Sequence, residues 1–384
     1  MSRESMKITG YRTLTTVHRW GRPIGDVNGH VAGTTEVPIV ILETDEGLEG
    51  IGLGSHRDLD RLFPALLGED PRATTALYDR MLAFVFKSGH SGATFGGIGA
   101  LDMALWDLKA KAAGEPLWRL LGARDRYIPG YASGLEIAVA DEDLAQLYSG
   151  WVERGFTAVK IKGGRDLASD RRRLEIAADL FRANTTSPAL MFDANESWNR
   201  KQAVRHISAL EETLDLTWVE EPLRRWDAAG LAAVSQAVRA SVATGENLTG
   251  LDQYRSLFDS GAVDVVQTGS VWGVTHFLRV AVLAHGHDLP MSAVSYNTNP
   301  LAHAAAAIPN NLCIEVQDLG SPVGITVDQE IADGGIVLGD APGSGVVIDE
   351  AAIRQAKGAN GWTDPVGPHF RPERAGLRLV PEQV

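Results

Sequence analysis

The chain has a single cysteine among its 384 residues, and it is also poor in positive charge and in long apolar runs. One thiol, Cys313, cannot form an intramolecular disulfide and excludes a metal cluster built on cysteines. Its apolar neighbours, Leu312 and Ile314, indicate a buried strand, where a free cysteine acts as a small hydrophobic side chain. We therefore expect Cys313 to be buried and chemically inert.

Positive charge is scarce, with 36 Lys and Arg against 49 Asp and Glu and a formal net charge of -13. Because phosphate binding needs a basic surface, this balance argues against nucleic acid and anionic membranes as partners. Residues 1–10 lack the apolar core of a signal peptide, and apolar stretches such as 37–42 are too short to span a bilayer. These absences predict a cytoplasmic protein.

What the chain does have is a regular alternation of short strands and amphipathic helices, which begins after Tyr127. Such alternation calls for a parallel sheet with right-handed crossovers. The preceding third reads as strands followed by helices, and residues 20–35, rich in glycine without an apolar period, predict a surface loop. We divide the chain into an N-terminal α+β domain at 1–126, an α/β domain at 127–325 and a C-terminal segment at 326–384 that packs back on the first domain.

The spacing of acidic residues at predicted strand ends distinguishes a closed barrel from an open sheet. Asp193 follows Lys162 by 31 residues, and Glu220 and Glu246 then follow at intervals of 27 and 26 residues. These intervals are the length of one strand and one helix, so each acid ends its own successive parallel strand. Strand ends converge at the catalytic face of a barrel, whereas an open sheet brings acids together only near its switch point. The spacing favours the barrel.

The acids and two lysines suggest a chemistry. Asp193, Glu220 and Glu246 provide the hard oxygen ligands that Mg²⁺ prefers, and octahedral coordination leaves positions for water and substrate. Lys160 and Lys162 are one residue apart in a strand, so both ammonium groups lie on one face, which we take to be the barrel interior. We expect each lysine to lower the pKa of the other, which prepares one of them to act as a base near neutral pH.

Each of these features also has a structural explanation. A single acid at a strand end is commonly a helix N-cap or a solvated loop residue, and two lysines in alternation commonly lie on a solvated face. Their occurrence together on four successive strands favours a site instead.

Several segments resemble the enolase superfamily, and within it the mandelate racemase subgroup. The helix at 98–111 and the hairpin turn at 43–47 are similar to the N-terminal signature of that family. The barrel motifs that carry the resemblance are Val159-Lys160-Ile161-Lys162, Asp193-Ala194-Asn195, Trp218-Val219-Glu220-Glu221-Pro222 and Gly245-Glu246-Asn247.

The resemblance implies a modified TIM barrel, (β/α)7β, with an N-terminal α+β capping domain. It implies Mg²⁺ bound by Asp193, Glu220 and Glu246, and a reaction that removes the α-proton of a small-molecule carboxylate and stabilises the enediolate on the metal. Within the motifs, Lys162 matches the base and Lys160 its electrostatic partner at the substrate carboxylate. Binding of the substrate is assigned to Glu315, which matches an acid that hydrogen-bonds the substrate carboxylate, and to Asn195.

The resemblance also extends to the capping domain and to assembly. Residues 20–35 and 54–57 match two capping-domain loops that lie over the barrel mouth. Arg22 and His56 in these loops are candidates for binding a distal carboxylate or hydroxyl of the substrate, with a solvated surface position as the alternative. Members of the family commonly form dimers or octamers, so we expect a homo-oligomer.

The chain departs from the family pattern on the side opposite the lysines. Mandelate-racemase-like members have a second base there, a His after the seventh strand that is oriented by an Asp ending the sixth. Here Gly269 stands at the Asp position, residues 292–299 contain no His, and the sixth strand has no Lys of the muconate-lactonizing kind. Tyr296 is the candidate replacement, with a role as pocket wall as the alternative. His276 and His303 are interpreted as structural.

The missing second base decides between reactions. A syn-dehydration can use one lysine first as base and then as acid for the departing hydroxide, so the sequence favours a dehydratase of an acid sugar or hydroxy acid. A racemase, epimerase or cycloisomerase that uses Tyr296 or another group as second acid is the alternative. A degenerate barrel that acts only as a binding protein is a third hypothesis, against which the complete set of acids and lysines speaks.

Overall fold

The N-terminal part is an antiparallel sheet covered by helices. The computed structural model describes residues 6–31, 33–294 and 300–360 of the chain. The elements up to residue 120 are β1 (Ile8–Arg19), β2 (Ile24–Asp26), β3 (Gly29–Val31), β4 (Thr34–Thr44), β5 (Glu49–Leu53), α1 (Leu59–Leu62), α2 (Thr74–Phe84), α3 (Ala93–Ala113) and α4 (Leu117–Leu120). Strand β4 pairs with β1 on one side and β5 on the other.

Helix α3 lies directly on strand β5 because glycines face it. A Cβ atom on Gly52 would come within 1.9 Å of the Ala100 carbonyl oxygen, and one on Gly50 within 2.2 Å of that of Ala104. The absence of these side chains lets the two backbones approach closely. This packing buries a core between sheet and helices that includes Val40, Leu42, Leu101, Leu105 and Leu108.

The prediction of an irregular surface loop at residues 20–35 was wrong. Strands β2 and β3 form a hairpin in that segment, with Ile24 opposite Val31 and Asp26 opposite Gly29. Its first strand is buried, and the backbone N–H of Gly25 donates to the carbonyl of Leu135 at 2.9 Å. The hairpin therefore docks on a distant part of the chain, and no apolar period within the segment could indicate that.

The second part is a closed barrel of eight parallel strands. Its elements are β6 (Tyr127–Ser133), α5 (Leu144–Glu153), β7 (Ala158–Lys162), α6 (Leu167–Phe181), β8 (Ala189–Asp193), α7 (Arg200–Leu210), β9 (Leu216–Glu220), α8 (Ala228–Ser235), β10 (Ser241–Thr244), α9 (Leu251–Asp259), β11 (Val265–Gly269), α10 (Val274–His285), β12 (Met291–Val294), α11 (Leu301–Ala307) and β13 (Asn311–Val316). Each strand pairs in parallel with the next, and β13 pairs with β6 to close the ring. The predicted (β/α)7β barrel with an N-terminal capping domain is confirmed.

The strands alternate between two environments, as the two-residue period of a strand requires. Outward side chains pack with the helices in one large core. Inward side chains fill the lower barrel in a smaller cluster that includes Tyr131, Trp218 and Cys313. The predicted burial of Cys313 is confirmed, and burial raises the pKa of its thiol to about 12.

The C-terminal segment returns to both earlier parts of the chain. It contains β14 (Ile325–Val327), β15 (Gln329–Ala332), β16 (Gly335–Leu338), β17 (Val346–Ile348) and α12 (Glu350–Asn360). Strand β16 pairs antiparallel with barrel strand β6, while Ile325 and Val346 pack with Ile39 and Ile41 of the capping sheet. The exact boundaries 1–126, 127–325 and 326–384 stay a prediction. Among the described helices, none has the length and apolarity needed to cross a membrane.

Candidate active site

Three neighbouring strands bring the lysines and two of the acids together at the carboxyl end of the barrel. Lys162 at the end of β7 pairs in register with Asp193 on β8, and Asp193 pairs with Glu220 on β9. The side chains of Asp193 and Glu220 are completely buried, and Lys160 and Lys162 are only 1% and 6% exposed. Charged groups taken this far out of water require close partners of opposite charge.

Lys160 is held between two carboxylates. Its Nζ lies 2.8 Å from Oε1 of Glu220 and 2.9 Å from Oε1 of Glu315, and it stands 5.3 Å from the centre of the Tyr131 ring. Strand β13 thus brings Glu315, the predicted substrate-binding acid, into the same group. Gln317, two residues along, donates its amide Nε2 to Oε2 of Glu315 at 2.9 Å.

Lys162 projects one layer higher. Its Nζ donates to Oδ2 of Asp193 at 2.5 Å, and its backbone N–H donates to Oε1 of Glu136 at 2.7 Å. The Tyr148 hydroxyl donates to the other oxygen of Glu136 at 3.0 Å. The backbone that carries the predicted base is therefore fixed by a buried carboxylate that itself has hydrogen-bond partners.

The expectation that the two lysines lower each other's pKa holds for the effect of Lys160 on Lys162, but neither pKa falls toward neutrality. Burial does lower the pKa of both lysines, and the charge of Lys160 lowers that of Lys162. The carboxylates of Asp193, Glu220 and Glu315 outweigh these effects and hold both pKa values above the ordinary value of lysine. The local pair suggested repulsion between like charges, but three acids from other strands decide the sign.

The acids crowd one another. Burial raises the pKa of Glu220 to about 8, against the effect of Lys160, and the charges of Asp193 and Glu246 add to the rise. Burial and the charge of Asp193 likewise raise the pKa of Glu246. Asn247 donates Nδ2 to Oε1 of Glu246 and to Oε1 of Glu221, both at 2.9 Å. A cation placed among these carboxylates would relieve their mutual repulsion.

The acidic side chains are not arranged as a complete set of metal ligands. Within the described ranges, no three histidine, cysteine or acidic side chains are positioned to hold a metal ion together. Lys162 and Lys160 instead engage Asp193 and Glu220 in ion pairs. The donor chemistry of the acids nevertheless fits Mg²⁺, because all the available ligand atoms are carboxylate oxygens.

The other predicted substrate-binding residues are distributed unevenly. Asn195 lies in the site: its backbone N–H donates to Oδ1 of Asp193 at 2.8 Å, and its side chain is buried. Arg22 donates Nη2 to the carbonyl of Gly134, just beyond strand β6 at the barrel mouth. His56 bonds through Nε2 to the carbonyl of Ile39 in the capping sheet at 3.0 Å. Tyr296 lies outside the described residues, so its role stays a prediction, as do the roles of the other three.

Sequence reasoning missed one acid that the capping domain contributes. Asp26, in the docked hairpin, is buried and accepts the backbone N–H of Asn28 at 2.6 Å. Burial raises its pKa, the positive charge of Lys162 lowers it, and the negative charge of Asp193 raises it, so the carboxylate interacts electrostatically with both groups. The residues Asp26-Val27-Asn28-Gly29 are typical of a hairpin turn. They could have indicated the strand pair, although not the docking of the hairpin on the barrel.

The barrel wall opposite the lysines lacks a proton carrier in its described part. In the ring of eight strands, β11 lies four strands from β7, and β12 adjoins it. Gly269 ends β11 and pairs with Val294 at the end of β12. Neither position carries the Asp or the His of the family pattern, as the sequence indicated. Asp264 lies at the other end of the barrel, where it accepts the backbone N–H of Val242 at 2.8 Å.

His276 and His303 have structural contacts, as expected from the sequence. Nε2 of His276 lies 3.4 Å from the backbone nitrogen of Gly250, and its ring packs on Phe95. Nδ1 of His303 accepts the backbone N–H of Trp118 at 3.0 Å. Neither contact joins the group of acids and lysines.

Comparison with known proteins places this arrangement in a family. Residues 12–122 match the family described as mandelate racemase / muconate lactonizing enzyme, N-terminal domain. Residues 143–352 match the family described as enolase C-terminal domain-like. The two matches together span most of the capping domain and the barrel.

Individual relatives agree with this match. The chain is 32% identical to L-talarate/galactarate dehydratase of Salmonella typhimurium, over 86% of each chain. It is 30% identical to 3,6-anhydro-alpha-L-galactonate cycloisomerase of Streptomyces coelicolor, over 82% of this chain and 89% of the relative. The crystal structure of a racemase from Streptomyces coelicolor with bound magnesium superposes with a TM-score of 0.83 at 28% identity, over 91% of this chain and 99% of that one.

Proposed function

The chain belongs to the enolase superfamily, in its mandelate racemase and muconate lactonizing enzyme group, and we propose that it is a Mg²⁺-dependent dehydratase of an acid sugar or hydroxy acid. It is an enzyme of the lyase or isomerase type, because its relatives are dehydratases and cycloisomerases. The observation that carries the choice of dehydration is the barrel wall opposite Lys162, where Gly269 and Val294 stand.

We assign the metal to Asp193, Glu220 and Glu246. The mutual repulsion of these carboxylates, of which Asp193 and Glu220 are completely buried, supports the assignment, as does the magnesium bound in the related racemase structure. Bound Mg²⁺ would supply fixed positive charge for the negative charge that develops on a carboxylate when its α-proton leaves. Without such charge an α-proton is too weakly acidic for an amine to remove.

Lys162 is the base in this proposal, and Lys160 and Glu315 hold the substrate carboxylate. Lys162 would lose the ion pair that raises its pKa when Asp193 binds the metal. In its neutral form, Nζ of Lys162 then takes the α-proton, and the electron pair of the broken C–H bond moves into the carboxylate. The ammonium of Lys160 faces the same carboxylate, and Glu315 lies beside that ammonium as the second group of the carboxylate-binding site. The buried layer around Lys160 orients the acid group so that the α-carbon lies toward Lys162.

The same lysine completes the reaction. After the first transfer, Nζ of Lys162 carries the proton and can donate it to the β-hydroxyl on the same face. The β-carbon–oxygen bond then breaks with its electron pair on oxygen, water leaves, and the enol that remains tautomerises to a 2-keto acid. One proton carrier therefore suffices for a syn-dehydration, whereas racemisation needs carriers on both faces.

The second candidate is a racemase, epimerase or cycloisomerase that uses Tyr296 as the acid on the opposite face. Two comparisons favour it, since one relative is a cycloisomerase and one similar structure is described as a racemase. It differs from the first proposal in needing a proton donor opposite Lys162.

The deciding experiment uses the full-length protein with Mg²⁺ and a panel of acid sugars and hydroxy acids, galactarate included. We expect a 2-keto acid product, and an epimer formed without any keto product would contradict dehydration. In ²H₂O, Lys162→Ala should abolish deuterium exchange at the α-carbon. Tyr296→Phe should leave exchange unchanged if the enzyme is a dehydratase and reduce it if the second candidate is correct.

A binding protein without activity is tested separately by titrating Mg²⁺ calorimetrically. We expect binding that is lost in Glu246→Gln, and no binding at all would favour the degenerate barrel.

We also propose a cytoplasmic location and a homo-oligomeric assembly, a dimer or an octamer, with a small-molecule carboxylate as ligand. Size-exclusion chromatography with light scattering tests the assembly.

A further inference from the structure

The acids and lysine at the heart of the site belong to one layer of the barrel. Inward side chains of alternate strands form layers of four in an eight-stranded barrel. Lys160 on β7 contacts Glu220 on β9 at 2.8 Å and Glu315 on β13 at 2.9 Å, so these three share a layer. The fourth position belongs to strand β11.

Strand register identifies the fourth member as Gln267. Glu220 pairs with Ala243 and Ala243 with Val265, so Gln267 lies two residues beyond the register partner of Glu220. Gln267 in turn pairs with Ser292 and Ser292 with Cys313, two residues before Glu315. The same offset of two residues per two strands recurs at each step, as strand tilt in a barrel requires. Gln267 therefore faces Lys160 across the barrel.

The side chain of Gln267 is buried without serving the fold. Its exposed fraction is 0%, yet neither Nε2 nor Oε1 has a hydrogen-bond partner within the described ranges. A buried amide left unpaired has lost its hydrogen bonds to water without replacement, so such a group at the wall of an active site indicates a missing ligand. The other three members of its layer are charged and form ion pairs with one another.

We propose that Gln267 is a substrate-binding residue that recognises hydroxyl groups and so restricts the substrate to polyhydroxylated acids. This rests on the proposed function insofar as Lys160 and Glu315 hold the carboxylate end. Gln267, on the opposite wall, is then placed to meet hydroxyl groups on the face of the substrate that points away from the lysines. An amide offers a donor and an acceptor, and hydroxyl groups satisfy both, whereas a carboxylate would leave Oε1 unpaired.

The test compares Gln267→Leu, which keeps the volume and removes the hydrogen bonds, with a matched control on the same strand. Thr268 is also fully buried with an unpartnered Oγ1, but alternation turns it toward the helices, so Thr268→Val is the control. Calorimetry in Mg²⁺ measures the Kd of galactarate, galactonate and arabinonate, and of lactate, which has no hydroxyl beyond the α-carbon. Circular dichroism checks the fold, and Gln267→Met replaces the leucine variant if that variant does not fold.

We expect Gln267→Leu to weaken the tightest polyhydroxy ligand about 10- to 100-fold and to change the Kd of lactate by no more than about twofold. Thr268→Val should change neither. Equal losses for both kinds of ligand, no loss, or a wild-type protein that binds no polyhydroxy acid more tightly than lactate would overturn the inference. Selective binding without any 2-keto acid product would instead reject dehydration and leave the role of Gln267 intact.

Discussion

His303 shows at the scale of one residue how burial sets a charge state. Its Nδ1 accepts the backbone N–H of Trp118, so Nε2 must carry the hydrogen, which it donates to the carbonyl of Ser344 at 3.1 Å. The ring is neutral in this arrangement. Burial lowers its pKa to about 4, against the effects of the Ser344 hydrogen bond and the charge of Asp328.

This charge state predicts a loss of stability in acid. An unfolded histidine has a pKa of about 6.5, so below that pH the unfolded chain takes up a proton that the folded chain refuses. The contribution of His303 to the free energy of unfolding is complete above pH 6.5 and falls by about 3 kcal/mol as the pH drops toward 4. Urea titrations at several pH values between 4 and 7 give the free energy of unfolding at each pH. In His303→Gln this free energy should depend less steeply on pH than in the wild type. An unchanged slope would contradict the assignment, and His285→Gln, at an exposed position, is the control.

The sequence indicated which residue types form the site, but it did not indicate the direction of their pKa shifts. The two-residue period of a strand correctly places Lys160 and Lys162 on one inward face, because that period is a local property of the backbone. The direction of their pKa shifts depends on Glu220 and Glu315, which other strands bring within 3 Å of Lys160. Distance in space, unlike spacing in sequence, decides such shifts.

At the scale of one element, the hairpin of β2 and β3 is attached to the barrel by hydrogen bonds. Besides the bond from Gly25 to Leu135, the side chain of Asn28 donates to the carbonyl of Asn195 at 3.0 Å. Arg165, after strand β7, donates Nη2 to the carbonyl of Val27 at 3.0 Å. The hairpin thus contacts the chain beyond three barrel strands, β6, β7 and β8, and holds Asp26 where the charge of Lys162 acts on it.

Loosening the hairpin should therefore affect substrate binding more than stability. In Asn28→Ala one hydrogen bond is lost, and we expect KM to rise about fivefold while the free energy of unfolding falls by no more than about 1 kcal/mol. Steady-state kinetics on the preferred substrate, with a parallel melt, measures both. Asn184→Ala is the control, because Asn184 donates to Val152 and Phe156 at the other end of the barrel. A KM that rises equally in the control would refute the role of the hairpin.

At the scale of the whole molecule, helix α3 joins the capping domain to the barrel through buried polar groups. Asp102 accepts the backbone N–H of Thr275 at 2.7 Å and its hydroxyl at 2.6 Å. The indole of Trp106 donates to the same hydroxyl at 2.9 Å. Gly99 permits this approach, because a Cβ there would come within 2.2 Å of the Val271 carbonyl oxygen.

We expect these contacts to make the two parts unfold together. Thr275→Val preserves shape and the backbone N–H bond to Asp102, but it removes the hydroxyl bond to that carboxylate and leaves the indole of Trp106 without a partner, at a cost of about 1–3 kcal/mol. Scanning calorimetry should show one transition at a lower Tm. Two separate transitions would show that the capping domain and the barrel are independent, and Thr326→Val, on an exposed position of β14, should leave the Tm unchanged.

The amino-acid sequence by itself determined the architecture and the chemical elements of the site. Strand and helix periods are local, and the βα spacing of Lys162, Asp193, Glu220 and Glu246 carries the order of strands, so a barrel with acids at its mouth could be predicted. The motifs of the family supplied the proton-abstracting reaction.

Only the tertiary structure decided which groups face one another. Asp26 reaches the site on a hairpin that docks through backbone hydrogen bonds, and Gln267 joins the layer of Lys160 through strand tilt and closure of the ring. Neither contact produces a periodic pattern in the amino-acid sequence, because both depend on the angle and offset at which distant segments meet. The same closure that converts scattered acids into one crowded cluster also sets their pKa values and those of the lysines between them.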